Sequence, residues 1–258
     1  MPAKLEITDQ PALGNDIDEE VPVDKFIDYS DGLNYWRSIP ATVDGVLGGF
    51  GEDTVVPKRD ISGSITFLRK LSSRMRPAKG EIKYGFELGA GIGRVSKNLL
   101  SKYCDKVDLL EYNEHFVAQM DEELAELKAQ GKLGEIFNMG MQDYHQTWKN
   151  DRKYWLVWCQ WCLGYLNDDL LVEFLKFMKS TLSENGTIIV KENTCINISD
   201  DDIFDDEDSS VTRTDSKFKE IFARSGLKLI AQDVQKGLPK ELYPVKMYAL
   251  KPDPSFVE

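Results

Sequence analysis

The sequence predicts an α/β fold: a seven-stranded, mostly parallel sheet with helices on both faces and an antiparallel last strand, preceded by an N-terminal helical extension. Three observations predict it. From about residue 82, short apolar runs alternate with longer stretches of helical period, and parallel strands need crossovers of that kind. A glycine-rich turn, LGAGIG, follows the first run, at the strand exit where Rossmann-like sheets receive their ligands. The two closing runs, GLKLIAQDV and YPVKMYAL, are joined by QKGLPKELY, which is too short for a crossover helix, so they pair antiparallel.

Taken in order, residues 1–25 are acidic, interrupted by prolines and without periodicity, which reads as a disordered acidic tail. Residues 26–80 form the helical extension. FIDYSDGLNYWRSIPATVDGVLGGF (26–50) interleaves aromatic and aliphatic residues at spacings near three and four, giving short helices broken at Pro40. ISGSITFLRKLSSRM (61–75) is an amphipathic helix that ends before Pro77. The core, 81–252, carries strands at 83–88, 106–110, 134–138, 154–159 and 186–191, helices at 92–103, 113–130 and 167–181, and a last helix at about 214–225.

At 258 residues and 29.4 kDa the chain suits one large α/β domain with its extension. A net charge of −12 argues against general nucleic-acid binding, which leans on a basic face. No apolar run approaches the roughly 18 residues of a membrane span, and MPAKLEITDQ lacks the features of an export or transit signal. The expected address is cytoplasmic, with nuclear access open. Cys104, Cys159, Cys162 and Cys195 lie in apolar surroundings and are expected reduced and buried. Cys159 and Cys162 form a C-x-x-C, but His115 and His145 do not supply the other half of a zinc site, so no metal is expected.

In E87-L-G-A-G-I-G-R94, Gly89, Gly91 and Gly93 let the backbone approach a ligand without a Cβ in the way, and the helix that follows presents unpaired N–H groups to it. There is no G-x-x-x-x-G-K-[ST], so Walker chemistry is disfavoured. A dinucleotide motif wants glycine where this chain has Arg94. The pattern better suits a smaller adenosyl ligand with a charged amino-acid tail, Glu87 near its ammonium and Arg94 at its carboxylate. A turn needed only for close packing remains the plain alternative. Glu111, ending KVDLLE, stands where an acid accepts hydrogen bonds from ribose hydroxyls. NMGMQDY offers Met141 as an apolar contact for the base, with Gln142 or Asp143 at its edge.

Further text outside the glycine turn and its distal acid is more specific: NYWRSIPATVDGVLGGFG (34–51), W-x-Q-W-x-x-G-Y-L (158–166), K-E-N (191–193) and D-x-x-D-S-S-V-T-R (205–213). With these the sequence resembles the S-adenosylmethionine-dependent class I methyltransferases, and within them the protein α-N-terminal methyltransferases, over residues about 26 to 251. The resemblance implies methylation of the α-amine of proteins that expose a Xaa-Pro-Lys-like terminus, once, twice or three times, with S-adenosylmethionine as cofactor. It places Gly89, Arg94, Glu111, Met141, Gln142 and Gln160 on the cofactor side, and Trp36, Trp161, Asn193 and Asp208 on the substrate side. The implied partners are such protein N-termini, including basic proteins such as ribosomal proteins, with no nucleic acid or membrane and a monomeric enzyme. Some members have histidine in W-x-x-G-H-L where this chain has Tyr165, so any proton-removing role passes to Tyr165, Asp208 or water.

The chemistry asks chiefly that amine, methyl and sulfur be held in line, with the amine neutral. An α-amine of pKa about 7.7–8.0 loses its proton easily, so a carboxylate or ordered water suffices. Asp208 is therefore the candidate general base or amine-orienting group and Asn193 its positioning partner. Trp161 suits a floor beside a cationic terminus and Trp36 a second wall, whereas Trp155 and Trp158 fall inside the strand run and belong to the core. Asp205, Asp206 and Asp208 suit a lysine in third place, although such an acid run also reads as a solvated loop. The competing readings are an NAD-type oxidoreductase, a small-molecule methyltransferase and a non-catalytic scaffold on the same fold.

Overall fold

The computed structural model describes residues 21–143, 152–195 and 201–256. Most of the expected tail, 1–20, lies outside the described residues. Its C-terminal end is ordered rather than tail: Val23–Phe26 is a 3-10 turn, and the buried Asp24 carboxylate accepts the Asp168 N–H at 2.9 Å.

The extension follows as α1 (Tyr29–Ser38), α2 (Val43–Val46) and α3 (Val56–Leu71). Asp28 caps α1 by accepting from Ser30 and Asp31 N–H, and Thr42 caps α2 by accepting from Gly45 N–H. α3 begins five residues before the expected position 61 and stops at Leu71 rather than 75. Pro57 sits in its first turn, where a missing N–H costs nothing. The buried face there reads Val56, Asp60, Ser64, Phe67, Leu68, Leu71, so two polar residues interrupt the apolar period that marks a helix.

The sheet runs β3-β2-β1-β4-β5-β9-β8. Its strands are β1 (Tyr84–Leu88), β2 (Lys106–Glu111), β3 (Leu133–Asn138), β4 (Tyr154–Gln160), β5 (Leu182–Asn193), β8 (Leu227–Val234) and β9 (Val245–Pro252). Pairings among β1 to β5 are parallel, and β9 is antiparallel to both β5 and β8, as expected for the last strand. Alternate residues of β4 point to opposite faces. Val157 and Cys159 join the core under α7 (Asp168–Thr181) and α8 (Asp215–Arg224), while Leu156 and Trp158 join the core shared with α3, α4 (Arg94–Asn98), α5 (Glu114–Glu123) and α6 (Ala125–Ala129).

Beyond α3, the clearest departures from the sequence reading are these. The helix expected at 92–103 is α4 followed by a 3-10 turn, Leu100–Lys102, because Gly93 at φ 83° delays its start. The helix expected at 113–130 breaks at Leu124 into α5 and α6. A short hairpin, β6 (Ile203–Asp205) with β7 (Ser210–Thr212), occupies part of the acid-rich stretch that reads as a loop. Trp158 is fully buried and Trp155 nearly so, as strand-interior core. The four cysteines are buried free thiols, and burial pushes Cys104, Cys159 and Cys162 up, which keeps them protonated. Among the described residues no helix is long and apolar enough to cross a membrane, and no cluster of His, Cys, Asp and Glu could hold a metal.

Candidate active site

The strand order turns at β1, whose neighbours β2 and β4 carry the chain to opposite sides, and a crevice opens at the carboxyl ends of these strands. A cavity of about 1070 Å³, including its open mouth, fills that crevice. The β1 turn, the ends of β2 and β4, and α1 and α2 of the extension line it.

Gly89, Gly91 and Gly93 adopt φ of 60°, 57° and 83°. At Gly89 a Cβ would come within 2.4 Å of Cys162 Cβ, so the strand exit closes on the β4 loop only with glycine there. Two buried acids fix the turn. Glu111 Oε2 accepts the Gly91 N–H at 2.7 Å and Oε1 the Asn113 N–H at 2.8 Å. Glu87 Oε2 accepts the Ser96 N–H at 2.7 Å and the Ser96 hydroxyl, tying β1 to α4. Burial pushes both carboxyls up to about 7 against the hydrogen bonds that favour the anion.

Arg94, the first residue of α4, is buried with Nη2 paired to Asp60 Oδ2 at 2.7 Å, and its guanidinium lies 6.0 Å from the Trp161 ring centroid. Gln160 ends β4, accepts from Trp158 Nε1 at 3.0 Å and donates to Asp60 Oδ1 at 2.9 Å. Burial opposes the Asp60 charge, but the cations Lys191 and Arg94 beside it hold its carboxyl below the usual range. Trp161 takes a positive φ of 54°, costly for a bulky residue, and its N–H bonds the Lys191 carbonyl at 3.1 Å. Glu192 holds the next turn by accepting from the N–H groups of Cys162 and Leu163, both at 2.9 Å.

On the opposite wall Trp36 Nε1 donates to the Tyr165 hydroxyl at 2.8 Å, and that hydroxyl donates to Asp208 Oδ2 at 2.6 Å. Burial and the Asp208 charge raise Tyr165 well above the ordinary phenol range, so it stays protonated. Asp208 Oδ1 is buried and, among the described residues, has no hydrogen-bond partner. The Asp28 N–H donates to Ser209 Oγ at 2.7 Å, and Gly32 lets α1 pass close to the Asp208 carbonyl, so the extension and the acid hairpin are held together.

Of the residues read from the sequence, Glu87, Gly89, Gly91, Arg94, Glu111, Met141, Gln142, Gln160, Trp36, Trp161 and Tyr165 line this one cavity. Gly93 shapes the turn from behind, against Leu124. Asp208 stands one hydrogen bond behind Tyr165, Asn193 is buried at the end of β5, and Asp205 lies on β6; none of the three lines the cavity itself. Asn113 and Asp60 were missed. Asn113 donates to the Trp36 carbonyl at 2.9 Å and caps α5, and its place just ahead of a helical run is the one signal that could have marked it.

Residues 24–251 match the family model of the AdoMet-dependent proline dimethyltransferases. The chain belongs to this family. It is 41% identical over 227 residues to alpha N-terminal protein methyltransferase 1 of Schizosaccharomyces pombe, covering 88% of this chain and 97% of that one. It is 38% identical over 224 residues to the N-terminal Xaa-Pro-Lys N-methyltransferase 1 of Homo sapiens, covering 86% and 95%. A solved SAM-dependent methyltransferase from Leishmania major superposes with a TM-score of 0.74 at 37% identity, covering 86% of this chain and 82% of that chain. This member of the family is therefore an S-adenosylmethionine-dependent methyltransferase, and the NAD-type and non-catalytic readings fall away. The cradle fits the cofactor: a glycine turn with open backbone, an acid at the end of β2, and a buried arginine whose Nη1 has no hydrogen-bond partner among the described residues. When bound, the cofactor supplies a methyl group on a positively charged sulfur.

Proposed function

We propose that this methyltransferase acts on the α-amine of protein N-termini that begin Xaa-Pro-Lys or a close variant. The observation that carries this reading is the chain Trp36–Tyr165–Asp208 on the wall facing the cofactor cradle, made by the same segments that resemble the α-N-terminal methyltransferases. The names of the relatives from Homo sapiens and Xenopus tropicalis support it, since both are Xaa-Pro-Lys N-methyltransferases.

Arg94 takes the cofactor's carboxylate, Glu111 the ribose, and Met141 and Gln142 the base. Trp36 and Trp161 wall the peptide end, and Asn193 orients the groups around it. Trp36 fills one lone pair of the Tyr165 oxygen and the phenolic hydrogen goes to Asp208, which leaves one lone pair for the substrate ammonium. The ammonium proton passes to Tyr165 as the phenol hands its own to Asp208, and the neutral amine is then the nucleophile. Tyr165 thus relays a proton without becoming a phenolate, and Asp208 is the final acceptor. A terminal proline, being a secondary amine, takes two methyl groups; a primary amine takes up to three. Asp205 and Asp206 on the hairpin suit the lysine at position three.

The reading extends to basic substrates such as ribosomal proteins, to a monomeric enzyme without nucleic-acid or membrane partners, and to the cytoplasm with access to the nucleus. Mass spectrometry of a Xaa-Pro-Lys peptide incubated with enzyme and S-adenosylmethionine tests it. Added methyl groups on the free-amine peptide and none on an amine-blocked copy are expected; equal labelling of both would overturn it.

A further inference from the structure

Behind Arg94 and Gln160 lies a buried pair, Asp60 and Lys191, to which the methyl-transfer reading assigns no role. Asp60, on α3 of the extension, is fully buried. Its Oδ1 accepts from Lys191 Nζ at 2.5 Å and Gln160 Nε2 at 2.9 Å, and its Oδ2 pairs with Arg94 Nη2 at 2.7 Å. Lys191, also fully buried, shares its other two hydrogens among the Asp60 carbonyl, Ser64 Oγ and Gln235 Oε1 at 2.9–3.0 Å. Gln235 in turn donates to the Arg59 carbonyl at 2.9 Å, and Gly63 leaves room for it, since a Cβ there would come within 2.0 Å of Gln235 Oε1.

The cluster holds two cations, Lys191 and Arg94, and one anion, Asp60, all buried. Glu87 also lies in the field of Arg94, but burial raises its carboxyl to about 7, so at neutral pH it supplies only part of a balancing charge. A buried charge that is only partly compensated is expensive, and here it resides on a side chain that lines the cavity and whose Nη1 has no hydrogen-bond partner among the described residues. One carboxylate would balance it. A guanidinium with one arm bound to a fixed acid also loses its rotational freedom, which favours capture of a second carboxylate by the other.

We infer that Asp60 is a positioning residue for the cofactor: anchored by Lys191 and Gln160, it holds one arm of Arg94 so that the other is kept for the amino-acid carboxylate of S-adenosylmethionine. The extension therefore builds the cofactor site as well as the wall across from it. This rests on the assignment of Arg94 to that carboxylate.

Calorimetric titration with two ligands tests the inference: S-adenosylhomocysteine, which carries the amino-acid end, and 5′-methylthioadenosine, which lacks it. Asp60→Asn should raise the Kd for S-adenosylhomocysteine about 10–100-fold, the scale on which outer partners of a ligating group act, and leave 5′-methylthioadenosine within about twofold. Arg94→Ala should show the same selectivity, and adding Asp60→Asn to it should change little further. Equal weakening of both ligands by Asp60→Asn, or none, overturns the role of Asp60. If Arg94→Ala is selective and Asp60→Asn is not, only the Asp60 inference fails; if Arg94→Ala binds S-adenosylhomocysteine like the parent, the assignment of Arg94 fails first. Where Asp60→Asn alone does not fold, Asp60→Asn/Lys191→Met, which also removes the stranded lysine charge, is titrated against the same two criteria.

Discussion

The two polar assemblies that flank the cavity are built on opposite plans. Under the cofactor cradle, Asp60 has both oxygens engaged and Lys191 is surrounded by acceptors, all within the fully buried interior. Across the cavity the Trp36–Tyr165–Asp208 chain is half-buried and ends in a carboxylate oxygen without a hydrogen-bond partner among the described residues. The first fixes one geometry around its open donor, Arg94 Nη1, which suits a cofactor that is always the same. The second keeps an acceptor for a group that arrives with each new substrate. The difference teaches that the kind of group left open, a donor on one side and an acceptor on the other, separates the side that holds from the side that reacts.

The largest test of this contrast is Asp208→Asn. It should lower kcat/KM for a Xaa-Pro-Lys peptide about 10²–10³-fold while the Kd for S-adenosylhomocysteine stays within about twofold. A loss of cofactor affinity as large as the loss of rate would erase the division between the two sides.

Next comes the pH dependence of the cradle. Glu111 is pushed up to about 7 by burial, whereas an unfolded glutamate ionises near about 4.3. Between those values the folded state binds more protons, so the contribution of Glu111 is complete at low pH and is lost as the pH rises through about 7. Urea unfolding without cofactor should therefore show the parent losing roughly 1–3 kcal/mol more than Glu111→Gln between mildly acidic and neutral pH. Parallel pH profiles would show that Gly91 and Asn113 keep the carboxylate ionised throughout.

Tyr165→Phe removes the relay and keeps the ring, and should cost about 10-fold in kcat with little change in KM for the cofactor. A variant as fast as the parent would send the proton to water. The smallest effect belongs outside both networks: Arg37→Ala breaks the exposed pair with Glu114 at 3.0 Å and should cost less than about 1 kcal/mol in urea unfolding, with unchanged kcat/KM.

Much of the molecule was legible because apolar periodicity and glycine spacing are local signals. The strands of the core, the closing antiparallel pair and the turn from Gly89 to Arg94 all stand where the sequence puts them. What stayed hidden was polar and distant. Asp60 interrupts the apolar face of α3, so the residue that joins Arg94 to Lys191 also blurred the first turn of its helix, which the sequence starts at 61. The hairpin of β6 and β7 is hidden by its acids, since Asp205 to Asp208 look like a solvated loop until Ile203, Phe204 and Val211 are paired across it. Asn193 and Asp208 were singled out through resemblance, for an asparagine after a strand and an aspartate in an acid run are by themselves ordinary.

The position of β9 has a bearing on how this chain comes off the ribosome. Val245–Pro252 is wedged between β5 and β8, so β8 has no sheet partner, and β5 only β4 on its other side, until residues 245–252 have emerged. Until then β5, which carries the buried Lys191, keeps one bare flank of backbone donors and acceptors. A nascent chain stalled before residue 245 would thus offer other proteins a sticky β-edge, and the arrival of β9 is what seals it.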